Sequence, residues 1–338
     1  MIEVRSPLDV ALVPRPPAWR PLSSAHQAAL PDGYRWTAVA GGDGTDFRHV
    51  RGEDAAGRAL FATRVPISRE PEIVRVEQVL AHVAEAGVET PRACGMLALR
   101  GSDEHFLVLR PWTVGRHPSA EGCDFVRLGD AIARVHLAMP SDDARFDQAT
   151  ARRIAIVAEL QPGYETWSSV ADTTLLRRLA GDAPHDAFTM LAQKLSAGAV
   201  GCHGDLHAGN ILLRPDGEPV LLDFEECLHS RLDPMVDVAR AMERCILVHG
   251  DAWGAASTLE AARRLVRGYE RVRGVTLNLG LLDVALRFHR ALAARLCLSL
   301  GDAASAAWQA EMGKLVALDS LHERQRGLLE RLERSRGG

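Results

Sequence analysis

Lysine is almost missing from this chain. Lys194 and Lys314 are the only two, and residues 1–193 contain none, although lysine and arginine together number 40. Any task that calls for a cationic side chain in the first half therefore falls to arginine. Paired cysteines are missing as well. Cys94, Cys123, Cys202, Cys227, Cys245 and Cys297 are scattered without a C-x-x-C, which argues against a disulfide framework or structural zinc and fits reduced thiols in a cytoplasmic protein. No stretch approaches the roughly 18 uninterrupted apolar residues of a spanning helix. The N-terminus, with Glu3, Arg5 and Asp9 around a short apolar run, lacks the layout of a signal peptide. A formal net charge of −4 leaves no basic footprint, so neither nucleic acid nor membrane is an expected partner. There is no internal repeat.

What remains is a chain of 338 residues, 47% apolar and 25% charged, enough to bury a sizeable core and long enough for two lobes. The pattern divides it into an arm over residues 1–33, a lobe over 34–110 and a second lobe over 111–338. The arm is rich in proline (Pro14, Pro16, Pro17, Pro21) and aperiodic. Three short strands are expected over 34–40, 46–51 and 59–65, with a glycine-rich turn, Gly41-Gly42-Asp43-Gly44-Thr45, between the first two. Ile73, Val76, Val79, Leu80 and Val83 then recur at helical spacing up to a stop at Gly87. A strand over 105–109 runs into Pro111-Trp112 and Gly115, which reads as a hinge. Beyond it the chain is mostly helical, with helices expected over 125–139, 173–180, 186–195, 259–272, 281–300 and 304–332. The one β-like interruption is a hairpin, 211–213 and 220–223, turned by Arg214-Pro215-Asp216-Gly217.

That hairpin adjoins a polar constellation. Cys202-His203-Gly204-Asp205-Leu206-His207-Ala208-Gly209-Asn210 precedes it, and Asp223-Phe224-Glu225-Glu226 follows. Phosphoryl transfer asks little covalent chemistry of a protein. It needs a carboxylate to orient and deprotonate the acceptor hydroxyl, and hard oxygen ligands that hold Mg²⁺ against the phosphates. Asp205 and Asn210 stand at the base-to-amide spacing of a kinase catalytic loop, and Asp223 ends an apolar strand as a metal-binding aspartate does. Asp205 is thus the expected base, with Asn210 and Asp223 as the expected metal ligands. A metal-dependent hydrolase is a competing reading of Cys202, His203, Asp205 and His207, but no second cluster of histidines and carboxylates follows downstream.

With these residues the sequence resembles the aminoglycoside phosphotransferase and choline kinase-like family, over about residues 34–300. The resemblance rests on His203-Gly204-Asp205 through Asn210, on Asp223, on Glu77 in Val76-Glu77-Gln78-Val79-Leu80, on the segment through Ala133-Arg134-Val135-His136, and on Asp233-Pro234 with Asp237-Val238-Ala239-Arg240. It implies an α+β, bilobal, protein-kinase-like fold: a small lobe with an antiparallel sheet and one helix, and a larger helical lobe. The co-substrate it implies is ATP or GTP, with Mg²⁺. Nucleotide phosphates would lie under Gly42, Gly44 and Thr45, with the base near the hinge at Leu107 and Leu109. His203 and Asp237 would brace the catalytic loop. The family's strand lysine has no counterpart, and Arg64 is the expected replacement, forking between phosphate and Glu77.

The acceptor stays open at this point. A hydroxyl-bearing small molecule is favoured because little chain separates Asp223 from Asp233-Pro234, too little for a peptide-docking loop. A Ser/Thr protein kinase of the bacterial stress-response type and a nucleotide-binding pseudokinase are the alternatives. Glu225, Glu226 and His207 are candidate acceptor contacts, the acidic pair suggesting an amine. Tyr164 and Trp167 are candidate cage residues for a cation, and Arg287, His289 and Arg290 candidate anion contacts. A monomer or homodimer is expected.

Overall fold

A computed structural model describes residues 18–41, 47–118, 123–140, 144–159, 184–299 and 306–334. Its first lobe is built on an antiparallel six-stranded sheet in the order β1-β2-β3-β4-β6-β5. The strands are β1 (Arg20–Pro21), β2 (Arg35–Ala40), β3 (His49–Glu53), β4 (Ala59–Pro66), β5 (Gly95–Ala98) and β6 (His105–Pro111). The helix expected after β4 is present as α2 (Glu70–Glu85), with acidic Glu70 and Glu72 in its first turn, where they suit the helix dipole.

The aperiodic arm holds more order than its composition suggests. A six-residue helix, α1 (Ser24–Ala29), is started by a capping box in which Ser23 and His26 exchange side-chain and backbone bonds. Leu30, at its end, is buried among Val39, Phe47, Val50, Leu60, Ala62, Leu107 and Leu109. So α1 closes one face of the sheet, and α2 closes the other, where Ile73 meets Val65, Phe106 and Val108.

Strand alternation assigns every side chain of β4 and β6 to one of those faces. The register pairs Phe61 with Arg110, Thr63 with Val108 and Val65 with Phe106, all on the α2 side. Leu60, Ala62, Arg64, Leu107 and Leu109 fall on the α1 side. The α2 side is the one turned toward the second lobe, since Val76, Val79, Leu80 and Val83 of α2 join that lobe's core.

The second lobe comprises α3 (Phe125–Ala138), α4 (Ala144–Glu159), α5 (Pro184–Lys194), β7 (Val200–Gly201), the hairpin β8 (Ile211–Leu213) and β9 (Pro219–Leu221), β10 (Arg231–Leu232), α6 (Met235–Cys245), α7 (Gly250–Arg273), α8 (Leu282–Ser299) and α9 (Ala306–Arg334). The pairing of β10 with β7 was not legible in the sequence, each piece being two residues long. The helix expected over 173–180 lies outside the described residues. At its centre α3 crosses α7 so closely that a Cβ on Gly129 would collide with the Leu265 carbonyl, and one on Gly268 with the Val126 carbonyl. This crossing brings His136 of α3 within 2.8 Å of the Tyr269 hydroxyl of α7. Among the described residues no helix is long and apolar enough to cross a membrane.

Candidate active site

The catalytic segment runs from β7 to β8, and the hairpin register explains why its ends converge. Ile211 pairs with Leu221, and the Leu222 N–H donates to the Asn210 carbonyl at 2.8 Å, so Asn210 and Asp223 emerge side by side at the same end of the hairpin. Asp223 has φ +56°, the one non-glycine residue in the left-handed region among those described. Such backbone strain persists where surrounding structure enforces it, as at functional sites.

Below the loop lies a buried brace. Asp237, wholly buried on α6, accepts from the His203 N–H at 2.6 Å, the Gly204 N–H at 3.0 Å and His136 Nε2 at 2.9 Å. Burial works to raise its carboxyl, but the His136 hydrogen bond, the His136 and His203 charges and the Gly204 amide together hold it below the usual range. An ionised carboxylate only accepts, so His136 donates from Nε2, while its Nδ1 lies 2.8 Å from the Tyr269 hydroxyl. Gly204 is required at its place, with φ +88° and no room for a Cβ beside Ser230. His203 donates from Nε2 to the Leu222 carbonyl at 2.7 Å, tying the loop to the strand that carries Asp223. His203 and Asp237 thus stand where a bracing role requires.

Asp205 is held at both oxygens. Arg240 Nη2 lies 3.5 Å from Oδ1 and His207 Nε2 lies 3.5 Å from Oδ2. Burial pushes the Asp205 carboxyl up, and Arg240, His207, His203 and His289 more than offset it, leaving the group ionised at neutral pH. Desolvation brings His207 down to about 4. Its Nδ1 accepts from the Gly209 N–H at 2.9 Å, so the neutral ring presents an Nε2–H to Asp205.

Asn210 donates from Nδ2 to the Asp205 carbonyl at 2.9 Å, which leaves Oδ1 as a hard oxygen donor. Burial raises the Asp223 carboxyl, and the nearby charges of Glu225 and Asp205 raise it further. No basic side chain among the described residues forms an ion pair with it. The Asp223 carboxyl, which feels the charges of Glu225 and Asp205, and the Asn210 amide oxygen are hard oxygen donors, so the residues present fit Mg²⁺ at Asn210 and Asp223.

The hydrolase reading loses its donors here. Burial pushes the Cys202 thiol well up, and it donates to the Leu232 carbonyl at 3.5 Å. His203 is engaged in the brace, with His136 and Asp237.

Several expected contacts are rearranged. Glu77 forms its ion pair with Arg110 of β6, at 2.6 Å, and its other oxygen accepts from the Ala93 N–H at 2.8 Å. Arg64, on the opposite sheet face, sits over the Phe47 ring and 3.5 Å from His105 Nδ1. Leu107 and Leu109 are buried on that same face. Leu107 and Leu109 thus share the α1 face of the sheet with Arg64, one residue of phase from Phe61, Thr63, Val108 and Arg110 on the α2 face. His49, stacked on Phe61 and 3.3 Å from the Thr63 hydroxyl, is lowered to about 4 by desolvation and by Arg48. Trp19, Phe61 and Trp112 cluster at the hinge, with Arg51 over the Trp112 ring at 4.4 Å.

The acidic residues beyond Asp223 already have partners. Arg69, at the start of α2, pairs with Glu225 at 3.0 Å, and Arg153 of α4 pairs with Glu226 at 2.6 Å. His289 is buried and bonds the Val236 carbonyl at 2.8 Å. Arg287 pairs with Asp283 at 2.8 Å and Arg290 with Asp319 at 3.3 Å. Gly42, Gly44, Thr45, Tyr164 and Trp167 lie outside the described residues.

Comparison with known proteins agrees with this geometry. Residues 36–278 match the model of the phosphotransferase enzyme family (APH). No curated protein matches the chain in sequence. Among solved structures, an aminoglycoside phosphotransferase from Alicyclobacillus acidocaldarius is 18% identical with a TM-score of 0.55, covering 94% of this chain and 97% of its own. An amicoumacin kinase, hAmiN, is 14% identical with a TM-score of 0.55, covering 88% and 90%. A Plasmodium vivax ethanolamine kinase is 12% identical with a TM-score of 0.53, covering 85% and 82%. The match of most of the chain to one family, on a bilobal kinase-like fold that gathers Asp205, Asn210 and Asp223, places this protein in the phosphotransferase enzyme family.

Proposed function

We propose that this enzyme transfers the γ-phosphate of ATP or GTP to a hydroxyl group of a small molecule, with Asp205 as the base and Asn210 and Asp223 as the residues that hold Mg²⁺. The observation that carries the reading is the placement of Asn210 and Asp223 at one end of the hairpin, with Asp205 bonded through its own carbonyl to Asn210. Mg²⁺, when bound, would neutralise phosphate charge and orient the γ-phosphoryl group.

The nucleotide base would lie against Phe61 and Trp112, and the guanidinium that Glu77 orients, Arg110, would face the phosphates. Asp205 orients the acceptor hydroxyl. As the acceptor oxygen bonds to the γ-phosphorus and the bridging oxygen departs with its electron pair on the nucleoside diphosphate, Asp205 takes the hydroxyl proton. His207 and Arg240 fix the Asp205 carboxylate for this task, and most of the acceleration comes from positioning and charge compensation.

The relatives in hand act on small molecules by their names, which supports a small-molecule acceptor over a protein substrate. Glu225 and Glu226 are engaged by Arg69 and Arg153, so an amine would compete with a guanidinium for either carboxylate. The test is transfer of labelled γ-phosphate from Mg·ATP, and separately Mg·GTP, into a metabolite pool and a protein fraction. Label in a small molecule that is lost with Asp205→Asn is the expected result. Label confined to the protein fraction would favour a protein kinase, and nucleotide binding without any transfer would favour a pseudokinase.

A further inference from the structure

The last helix lies beyond the segment that matches the family, yet a chain of buried charged contacts leads from it to the catalytic carboxylate. His322, on α9, meets Glu243 Oε1 through Nε2 at 2.7 Å. The other oxygen of Glu243 accepts from Arg240 Nη1 at 3.1 Å. Arg240 then extends Nη2 to Asp205 Oδ1, at 3.5 Å. The side chains of His322, Glu243 and Arg240 are 7%, 0% and 15% exposed, so little water screens the path.

Glu243 sits at the centre of this arrangement. A carboxylate with no exposure is tolerated only when both oxygens are satisfied by good donors. Burial alone would raise its carboxyl, but the hydrogen bond and charge of His322, with Arg240 and Arg244, hold it down to about 2. Each oxygen therefore has its own donor, one from α9 and one from the preceding turn of α6. Arg240 is a planar fork, so the point at which Glu243 grips it fixes where its free edge lies against Asp205. Asp319, one turn before His322, pairs with Arg290 of α8 and sets the height of α9 on the lobe.

We infer that His322 is a positioning residue for the catalytic base, acting through Glu243 and Arg240, and that α9 is thereby part of the catalytic apparatus. Without the His322 donor, Glu243 Oε1 is left buried and unsatisfied. The nearest relief is for Glu243 to take both edges of the Arg240 guanidinium, which draws Nη2 away from Asp205. Asp205 then keeps one anchor, His207, and its orientation loosens. This inference rests on the role proposed for Asp205.

The experiment compares wild type, His322→Ala and His322→Gln in steady-state hydrolysis of Mg·ATP, and adds a urea double-mutant cycle between His322→Ala and Asp205→Asn. A misplacement of about 1 Å at the base is worth on the order of 100-fold in rate, so His322→Ala is expected to lower kcat by roughly 10- to 100-fold. The nucleotide KM should stay within about twofold, since nothing in the chain of contacts reaches the nucleotide lobe. Gln, whose amide donates from a similar position, should restore most of kcat. The stability effects of His322→Ala and Asp205→Asn should be non-additive, because the two residues share one network. An unchanged kcat in both variants would overturn the inference, and so would kcat and KM failing together with additive stability changes. If wild type turns over no Mg·ATP without an acceptor, the label-transfer experiment tests the proposed function separately, and here the cycle alone decides: additivity overturns the connection and non-additivity supports it.

Discussion

Asp237 concentrates more of the site's order than any other side chain, and replacing it gives a quantitative test. Its Oδ2 accepts from the His203 N–H and from His136 Nε2, and its Oδ1 accepts from the Gly204 N–H. Asp237→Ala strands two buried amides and a buried imidazole, and breaking such a pair by removing one partner costs about 3–5 kcal/mol. Asp237→Asn keeps an oxygen at the Oδ2 position but turns an NH₂ toward the Gly204 N–H, losing one bond and adding a repulsion worth about 1–3 kcal/mol. The order of stability in urea should be wild type, then Asn, then Ala, against a total of about 5–15 kcal/mol. A pH series adds a sign. The folded-state carboxyl is depressed, so its contribution is fully present above the unfolded value of about 3.9 and is lost as pH falls through the lower folded value. The gap between wild type and Asn should be flat from neutral pH down to about 3.9 and close from there through the lower folded value. An Asn variant as stable as wild type, or a gap that widens on acidification, would refute the account of the brace.

Three further outcomes follow from the geometry. Arg110→Ala should raise the nucleotide KM by about 10-fold or more, since a charge-assisted hydrogen bond is worth about 1.5–3 kcal/mol, while Arg64→Ala should leave it within about twofold; the reverse ranking in steady-state kinetics would restore Arg64 to the phosphate. Asn210→Ala should raise the Mg²⁺ concentration for half-maximal turnover by about 10- to 100-fold, read from a metal titration at saturating nucleotide. Gly204→Ala should cost roughly 1–3 kcal/mol through strain at a left-handed site with no room, whereas Gly57→Ala, at φ +77° with nothing within 4 Å, should cost about 1 kcal/mol, both measured in urea.

The residues proposed for catalysis could be picked out in the sequence because their relation is local. Asp205 and Asn210 share one loop, and the Pro-Asp-Gly turn announces the hairpin that returns the chain to Asp223. The cation beside Glu77 could not, because it depends on which face a strand residue takes and on which strand is its neighbour. Phe106-Leu107-Val108-Leu109 is apolar on both sides of the sheet, so it carries no phase, and Leu107 and Leu109 could be assigned to the cleft as readily as Val108. For β4 a signal existed: Leu60 and Ala62 are the apolar set and Phe61 and Thr63 the mixed one, which already sets Arg64 with the buried residues. Helix α1 escaped notice because six residues give no periodicity to read. Glu243 and His322 are 79 positions apart, and only the folded lobe brings them together.

The partnership of Glu77 with Arg110 also has a chemical consequence. Enzymes that place an amine beside the nucleotide phosphates can be tagged there by acylating or aldehyde-bearing nucleotide analogues, which form amides or imines with that nitrogen. Here the cation nearest that carboxylate is a guanidinium, too weak a nucleophile for either reaction, and the two lysines of the chain stand on α5 and α9. Lys194 ends the first of these helices and Lys314 pairs with Glu311 on the second. Reagents that rely on an active-site amine should pass through this cleft without leaving a mark, and a covalent ligand for it would have to be built for arginine, with a dicarbonyl as the reactive group.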